Sequence, residues 1–188
     1  MVAHIGKGTN TVGLPLSNYY VKELTKTIRG SKRNVTMDNW FTSVPVAEAL
    51  LKPSYNLTIV GTIRKDKPQV PPEMICSRNR TVGTTMFCFD KEKTLVSFKA
   101  NNKKIVSLLS TMHQEGSIHP ETSKPEIIHF YNSTKSGVDS LDQMCSNMNC
   151  GRKTRRWPLC VFYDMINIAA INAFVINFFN MNRANQKL

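Results

Sequence analysis

Two short acidic motifs hold the residues best suited to chemistry, Thr36-Met37-Asp38-Asn39-Trp40 and Gly137-Val138-Asp139-Ser140-Leu141-Asp142. Each sets a carboxylate beside an expected strand end or helix start. Ionised carboxylate oxygens are the ligands that Mg²⁺ and Mn²⁺ take. Metal-dependent cutting of a nucleic-acid backbone uses two or three of them within a positive surface. Asp139 and Asp142 are three apart, so on a helix they share one face. Near the helix N-terminus the macrodipole and free N–H groups favour their ionised form. Taken alone, the pair reads more readily as a helix cap or a first-turn charge than as a metal site. Before Asp38 the only acidic residue is Glu23, which falls in an expected helix.

The surroundings of these motifs are basic. Among 188 residues, 25 Lys and Arg face 13 Asp and Glu, a formal charge of +12. An excess of that size points to a polyanionic partner, nucleic acid or an anionic membrane surface. After Asp142 the only acidic residue is Asp164, while Arg152, Lys153, Arg155, Arg156, Arg183 and Lys187 accumulate. The run Gly151-Arg152-Lys153-Thr154-Arg155-Arg156-Trp157-Pro158 places four cations and an indole in an expected inter-helix loop. Such a loop suits phosphate contacts with base stacking on Trp157. It also reads as a solvated charge run with Trp157 as a hydrophobic anchor. Lys99, Lys103 and Lys104 extend the patch or guard an edge strand.

Other chemistries find no support. His4, His113, His119 and His129 lack metal-ligand spacing, and none of the five cysteines forms a C-x-x-C pair. Neither a disulfide framework nor a structural zinc site is expected, and reduced thiols fit an intracellular compartment. There is no Gly-rich phosphate loop. The first residues lack a cationic start followed by an apolar run, so no signal peptide is expected.

The elements that must position these groups follow from pattern. A Gly/Thr-rich loop at 6–15 precedes a helix at about 19–26 capped by Asn18, with Arg29-Gly30 as its exit. Residues 34–38 read as a short strand, and Ser43 with Pro45 opens a helix through Leu51. Residues 57–63 are β-branched and apolar, as a buried strand should be. Together these suggest an α/β unit. Residues 64–72 read as a basic, Pro-rich surface excursion. The segments 84–89 and 94–99 flank the polar turn Asp90-Lys91-Glu92-Lys93, a hairpin signal. Another strand is expected at 105–110 and a loop at 116–125. The chain turns helical after Tyr131, with Asp139 and Asp142 in the first turns of one helix. A long helix starts near Pro158, and its stripe of Phe162, Ile166, Ala169, Ala173 and Ile176 predicts a buried core helix. Asp164, Asn167, Asn172, Asn177 and Asn180 would be costly in lipid, which argues against a membrane span.

The same residues resemble the piggyBac transposase family, which includes piggyBac transposable element-derived proteins and has a DDD-type catalytic domain. Residues 34–45, from Asn34-Val35-Thr36-Met37-Asp38 to Pro45, resemble its second-aspartate motif, and Leu57 to Arg64 the strand that follows. Tyr131 to Met144 resembles the third-aspartate motif, with a companion at Asp142. Arg152 to Pro158 resembles its basic-tryptophan segment, and Asn167-Ile168-Ala169 lies in the matching helix.

The resemblance implies an α/β fold: a partial ribonuclease-H-like core at 1–65, a mostly β insertion at 66–130, and a helical remainder of the core at 131–188. It implies cut-and-paste DNA transposition with Mg²⁺ or Mn²⁺, one metal activating water or a DNA 3′-hydroxyl and the other stabilising the leaving oxygen. Asp38, Asp139 and Asp142 are then catalytic metal ligands. Asn39, Lys135, Arg152, Lys153, Arg155, Arg156 and Trp157 contact DNA. The expected partners are double-stranded DNA and a second copy in a homodimer, with no membrane or small-molecule substrate, in the nucleus. The family's first catalytic aspartate precedes the segment matched by Gly6-Lys7-Gly8-Thr9, and its C-terminal cysteine-rich module follows the matched region. The alternative expectation is therefore a non-catalytic, element-derived DNA-binding or protein-interaction remnant.

Overall fold

The computed structural model describes residues 10–78 and 80–185, with side chains to 183. Gly6 to Thr9 of the expected N-terminal loop, His4 and Lys187 lie outside the described residues. The chain divides into two compact units, one ending at Lys135 and the other beginning at Ser136.

The first unit is built on one five-stranded sheet, ordered β1-β2-β5-β4-β3. Its strands are β1 (Asn34–Met37), β2 (Thr58–Thr62), β3 (Thr85–Asp90), β4 (Lys93–Lys99) and β5 (Ile105–Ser110). β1 and β2 pair in parallel, which requires a crossover between them. Helix α2 (Val44–Leu51) supplies it. Val46, Ala47 and Leu50 of α2 bury beside Met37, Leu57, Ile59 and Leu109, joined by Val21 of α1 (Leu16–Leu24) and Met74 of α3 (Pro72–Ile75). Helix α4 (Glu126–Thr134) contributes Ile127 and Ile128 to a second apolar cluster with Val60, Val96, Phe98 and Leu108. The sheet is thus apolar on both faces, with α1, α2 and α3 in one layer and α4 in the other.

Several elements match the residue pattern. Ser43 stands in extended backbone immediately before α2, with Pro45 in the first turn. Its hydroxyl makes no capping bond and is buried without a partner. The hairpin turns at Lys91, whose φ is +49°. The strands of the β-rich 66–130 stretch join the sheet of β1 and β2, because β2 pairs antiparallel with β5. Asn18 does not cap α1. Pro15, with φ −53° and ψ 141°, sits before the first turn, and its carbonyl accepts the Tyr19 N–H at 3.0 Å. α4 begins at Glu126, five residues ahead of the expected Tyr131, again following a proline, Pro125.

Burial at the end of β5 gives a testable pH dependence. His113 Nδ1 lies 2.8 Å from Ser110 Oγ, and its ring meets Phe130 edge-on at 5.4 Å. Its carbonyl accepts the Thr94 hydroxyl at 2.7 Å, so the residue ties β4, β5 and α4 together. Burial pushes the imidazole below its ordinary value of 6.5, with the Glu126 charge opposing. The unfolded chain therefore takes up the proton first, so this contribution is complete above pH 6.5 and lost as pH falls through the depressed folded value. The urea midpoint is expected to fall from about pH 7 to about pH 5, and His113→Gln to flatten that decline.

The second unit holds α5 (Gly137–Asn147) and α6 (Trp157–Asn185). α6 corrects the expectation of a buried core helix, since only Asn167 and Ile171 are buried among its described side chains. Phe162, Ile166 and Ile176 of the expected stripe are exposed. Apolar residues lie on every side of α6, and α5 packs against it. The stretch Trp157–Arg183 is long and apolar enough to cross a membrane, with a hydropathy of 1.9.

Candidate functional site

Asp38 follows β1 directly, at the carboxyl end of the strand, and is exposed. Its Oδ1 accepts the backbone N–H groups of Trp40 at 3.0 Å and Phe41 at 3.4 Å. Its backbone carbonyl accepts the Thr42 N–H at 3.1 Å and the Thr42 hydroxyl at 2.7 Å. One aspartate therefore shapes the whole turn that leads into α2, as Asx side chains do where backbone amides lack strand partners. Thr42 is fully buried above Gly61 of β2. A Cβ at Gly61 would overlap Thr42 Oγ1 and stand 2.7 Å from the Met37 carbonyl oxygen. That close approach explains the glycine in an otherwise β-branched strand. The indole of Trp40 packs edge-on against Phe41 at 4.6 Å.

The parallel register pairs Met37 with Gly61, so the two strands end side by side. Asn39 consequently lines a cleft of about 450 Å³ with Arg64, Lys65, Asp66, Lys104 and Ser107. Arg64 is bidentate on Asp66, at 3.1 and 2.9 Å. Lys65 and the side chain of Lys104 pair with no described carboxylate. The basic character of 64–72 is visible in sequence, but its place beside Asn39 depends on the strand register.

Asp139 and Asp142 lie in the early turns of α5, both exposed, and neither pairs with any described residue. Lys135 stands over the Tyr131 ring at 5.7 Å. Arg152, Lys153, Arg155 and Arg156 are all exposed on the α5–α6 loop and make no ion pair among the described residues. Trp157 is 67% exposed at the start of α6, which removes the reading of it as a buried anchor.

The donor set is suited to a hard divalent cation: carboxylate oxygens only, none held in an ion pair among the described residues. Asp38 belongs to the first unit, and Asp139 and Asp142 to the second. Among the described residues, neither unit alone groups three His, Cys, Asp or Glu side chains able to hold a metal.

Comparisons with known proteins identify the family. A family model described as Transposase IS4 matches residues 3–174. PiggyBac transposable element-derived protein 3 of Homo sapiens is 25% identical over 187 residues, covering 86% of this chain and 30% of that protein. The chimeric ERCC6-PGBD3 protein of Homo sapiens is also 25% identical, covering 86% of this chain and 17% of its own length. The cryo-EM structure of a piggyBac transposase synaptic complex with hairpin DNA shares 54% identity at a TM-score of 0.91, over 97% of this chain and 38% of that one. The chain thus spans well under half the length of these relatives, and its mixed α/β fold is consistent with a ribonuclease-H-like core. The chain belongs to the Transposase IS4 family and is of the piggyBac type.

Proposed function

We propose that this chain is the strand-cleaving and strand-joining part of a piggyBac-type transposase, acting on double-stranded DNA in the nucleus. The observation that carries the reading is the 54% identity, at a TM-score of 0.91, to a transposase captured with hairpin DNA. Asp38, Asp139 and Asp142 are the residues that would hold Mg²⁺ or Mn²⁺, by their match to the motifs and their oxygen-only chemistry. The bound ion supplies Lewis-acid activation of oxygen. The chain's own contribution is orientation and charge. The Asp38 carboxylate is preset by two loop amides, and Asp139 stands in the first turn of α5, at the positive end of its dipole. Lys135, Arg152, Lys153, Arg155 and Arg156 neutralise phosphates, Asn39 donates to the backbone, and Trp157 stacks on an unpaired base.

A second reading, DNA binding without cleavage, is favoured by one observation. Among the described residues, the α5–α6 loop carries four exposed cations that make no ion pair, and phosphate binding uses them whether or not a strand is cut. Both readings require DNA affinity that falls steeply with salt. Replacing Arg155 and Arg156 with alanine is expected to lower the slope of log K against log salt by about 2. Fluorescence anisotropy on a labelled duplex measures it, and binding that ignores salt would count against both readings. Mn²⁺-dependent nicking of duplex DNA separates them.

A further inference from the structure

The loop that carries the four cations has a scaffold that a merely solvated charge run would not need. Asn167 is 4% exposed on a helix whose other described polar side chains face water. A carboxamide buried among apolar neighbours is costly unless its hydrogen bonds are made. Here they are made to the loop. Asn167 Oδ1 accepts the Cys150 N–H at 3.1 Å, and its Nδ2 donates to Asn149 Oδ1 at 3.1 Å. The same Asn149 oxygen accepts the Gly151 N–H at 2.7 Å.

The chain passes α6 at close range at this point. A Cβ on Gly151 would stand 2.8 Å from Asn149 Oδ1 and 3.4 Å from Tyr163 Cβ. Farther along, Thr154 Oγ1 accepts the Arg156 N–H at 3.1 Å. The Arg156 carbonyl then accepts the Leu159 and Cys160 N–H groups at 3.0 and 3.3 Å, which starts α6. Arg152, Lys153, Arg155 and Arg156 are thus strung between two fixed points, the Asn149–Asn167 pair and the first turn of α6.

We propose that Asn149 and Asn167 are positioning residues for DNA binding, their paired carboxamides holding the α5–α6 loop in the shape that presents its cations to phosphates. This rests on the DNA-binding reading above. A flexible loop carries the same charge but holds the binding shape only part of the time, and apparent affinity falls by that fraction.

The test uses the full 188-residue chain and the exposed Asn149, whose replacement leaves α6 intact. Asn149→Ala removes the acceptor for both Gly151 and Asn167, whereas Asn149→Asp keeps it. Tryptic cleavage at Arg152 to Arg156, followed by mass spectrometry, is expected to be about tenfold faster in Asn149→Ala and near wild-type in Asn149→Asp, for a loop that holds its shape about nine-tenths of the time in the wild type and about a tenth of the time once released. Anisotropy with a labelled duplex should show about tenfold weaker binding for Asn149→Ala with an unchanged salt slope, because the same phosphates are neutralised. Wild-type cleavage and affinity in Asn149→Ala would overturn the proposal while leaving the DNA-binding reading intact. A salt slope that drops with the affinity would overturn it as well, by making Asn149 a direct contact. A wild-type chain that binds no DNA would overturn the reading it rests on.

Discussion

Asp38→Asn is expected to abolish Mn²⁺-dependent nicking of duplex DNA by this chain while leaving its stability within about 0.5 kcal/mol of wild type. A metal-bound transition state draws several kcal/mol from its carboxylate ligands, so the loss should be at least about 10³-fold. Stability should survive because asparagine reproduces what the loop needs. Asp38 serves the turn through one oxygen, Oδ1, which accepts the Trp40 and Phe41 amides. An asparagine carboxamide oxygen can accept the same two bonds. Asp38→Ala, by contrast, removes both functions and should also destabilise the chain by about 1 kcal/mol. Nicking assays with plasmid DNA, run beside thermal melts of both variants, separate the chemistry from the turn. Equal nicking by wild type and Asp38→Asn would mark the activity as background and favour the DNA-binding reading.

Gly61→Ala is expected to destabilise the first unit by about 2–3 kcal/mol, lowering the melting temperature by about 5–10 °C. The added methyl meets two obstacles: the buried Thr42 hydroxyl, and the Met37 carbonyl oxygen at 2.7 Å. Thr42 is pinned by its own bond to the Asp38 carbonyl, and Met37 by the parallel ladder. Neither yields as the tip of a long side chain would. Adding Thr42→Ala relieves the first obstacle only, so the double variant should recover part of the loss. A wild-type melting temperature for Gly61→Ala would refute the close packing beneath the Asp38 turn.

Local pattern carried much of this fold. The hairpin is signalled by its polar turn and a further strand is expected at 105–110, and both stand where the residues indicate. Ser43 and Pro45 mark the start of α2, and Asp139 lies in the first turn of α5 as its position implies. Helix starts that depend on proline backbone were less legible: Pro15 displaced Asn18 as the boundary of α1, and α4 began directly after Pro125.

Non-local pairing was not legible at all. Nothing in residues 58–62 or 105–110 specifies that β2 joins β5, yet that pairing brings the β-rich stretch into one sheet. The parallel register of β1 on β2 likewise put Asn39 beside Arg64 and Lys65. The apolar stripe of α6 correctly indicated a helix but not its surroundings, because hydrophobicity on every side does not say which side is covered. Asn167 was visible only as a polar residue in an apolar run. Its partners on the loop are a product of the fold.

The turn at Asp38 has an evolutionary consequence. Aspartate and asparagine codons differ by a single base transition, and at this position the two residues meet the same backbone demand. A copy of this domain passing from aspartate to asparagine here would lose the carboxylate without a folding defect to betray the change. Selection for a stable, DNA-binding protein would not detect it, whereas selection for cutting would remove it at once. On the proposed role of Asp38 in cutting, the residue at position 38 in natural variants records whether a lineage still depends on strand cleavage.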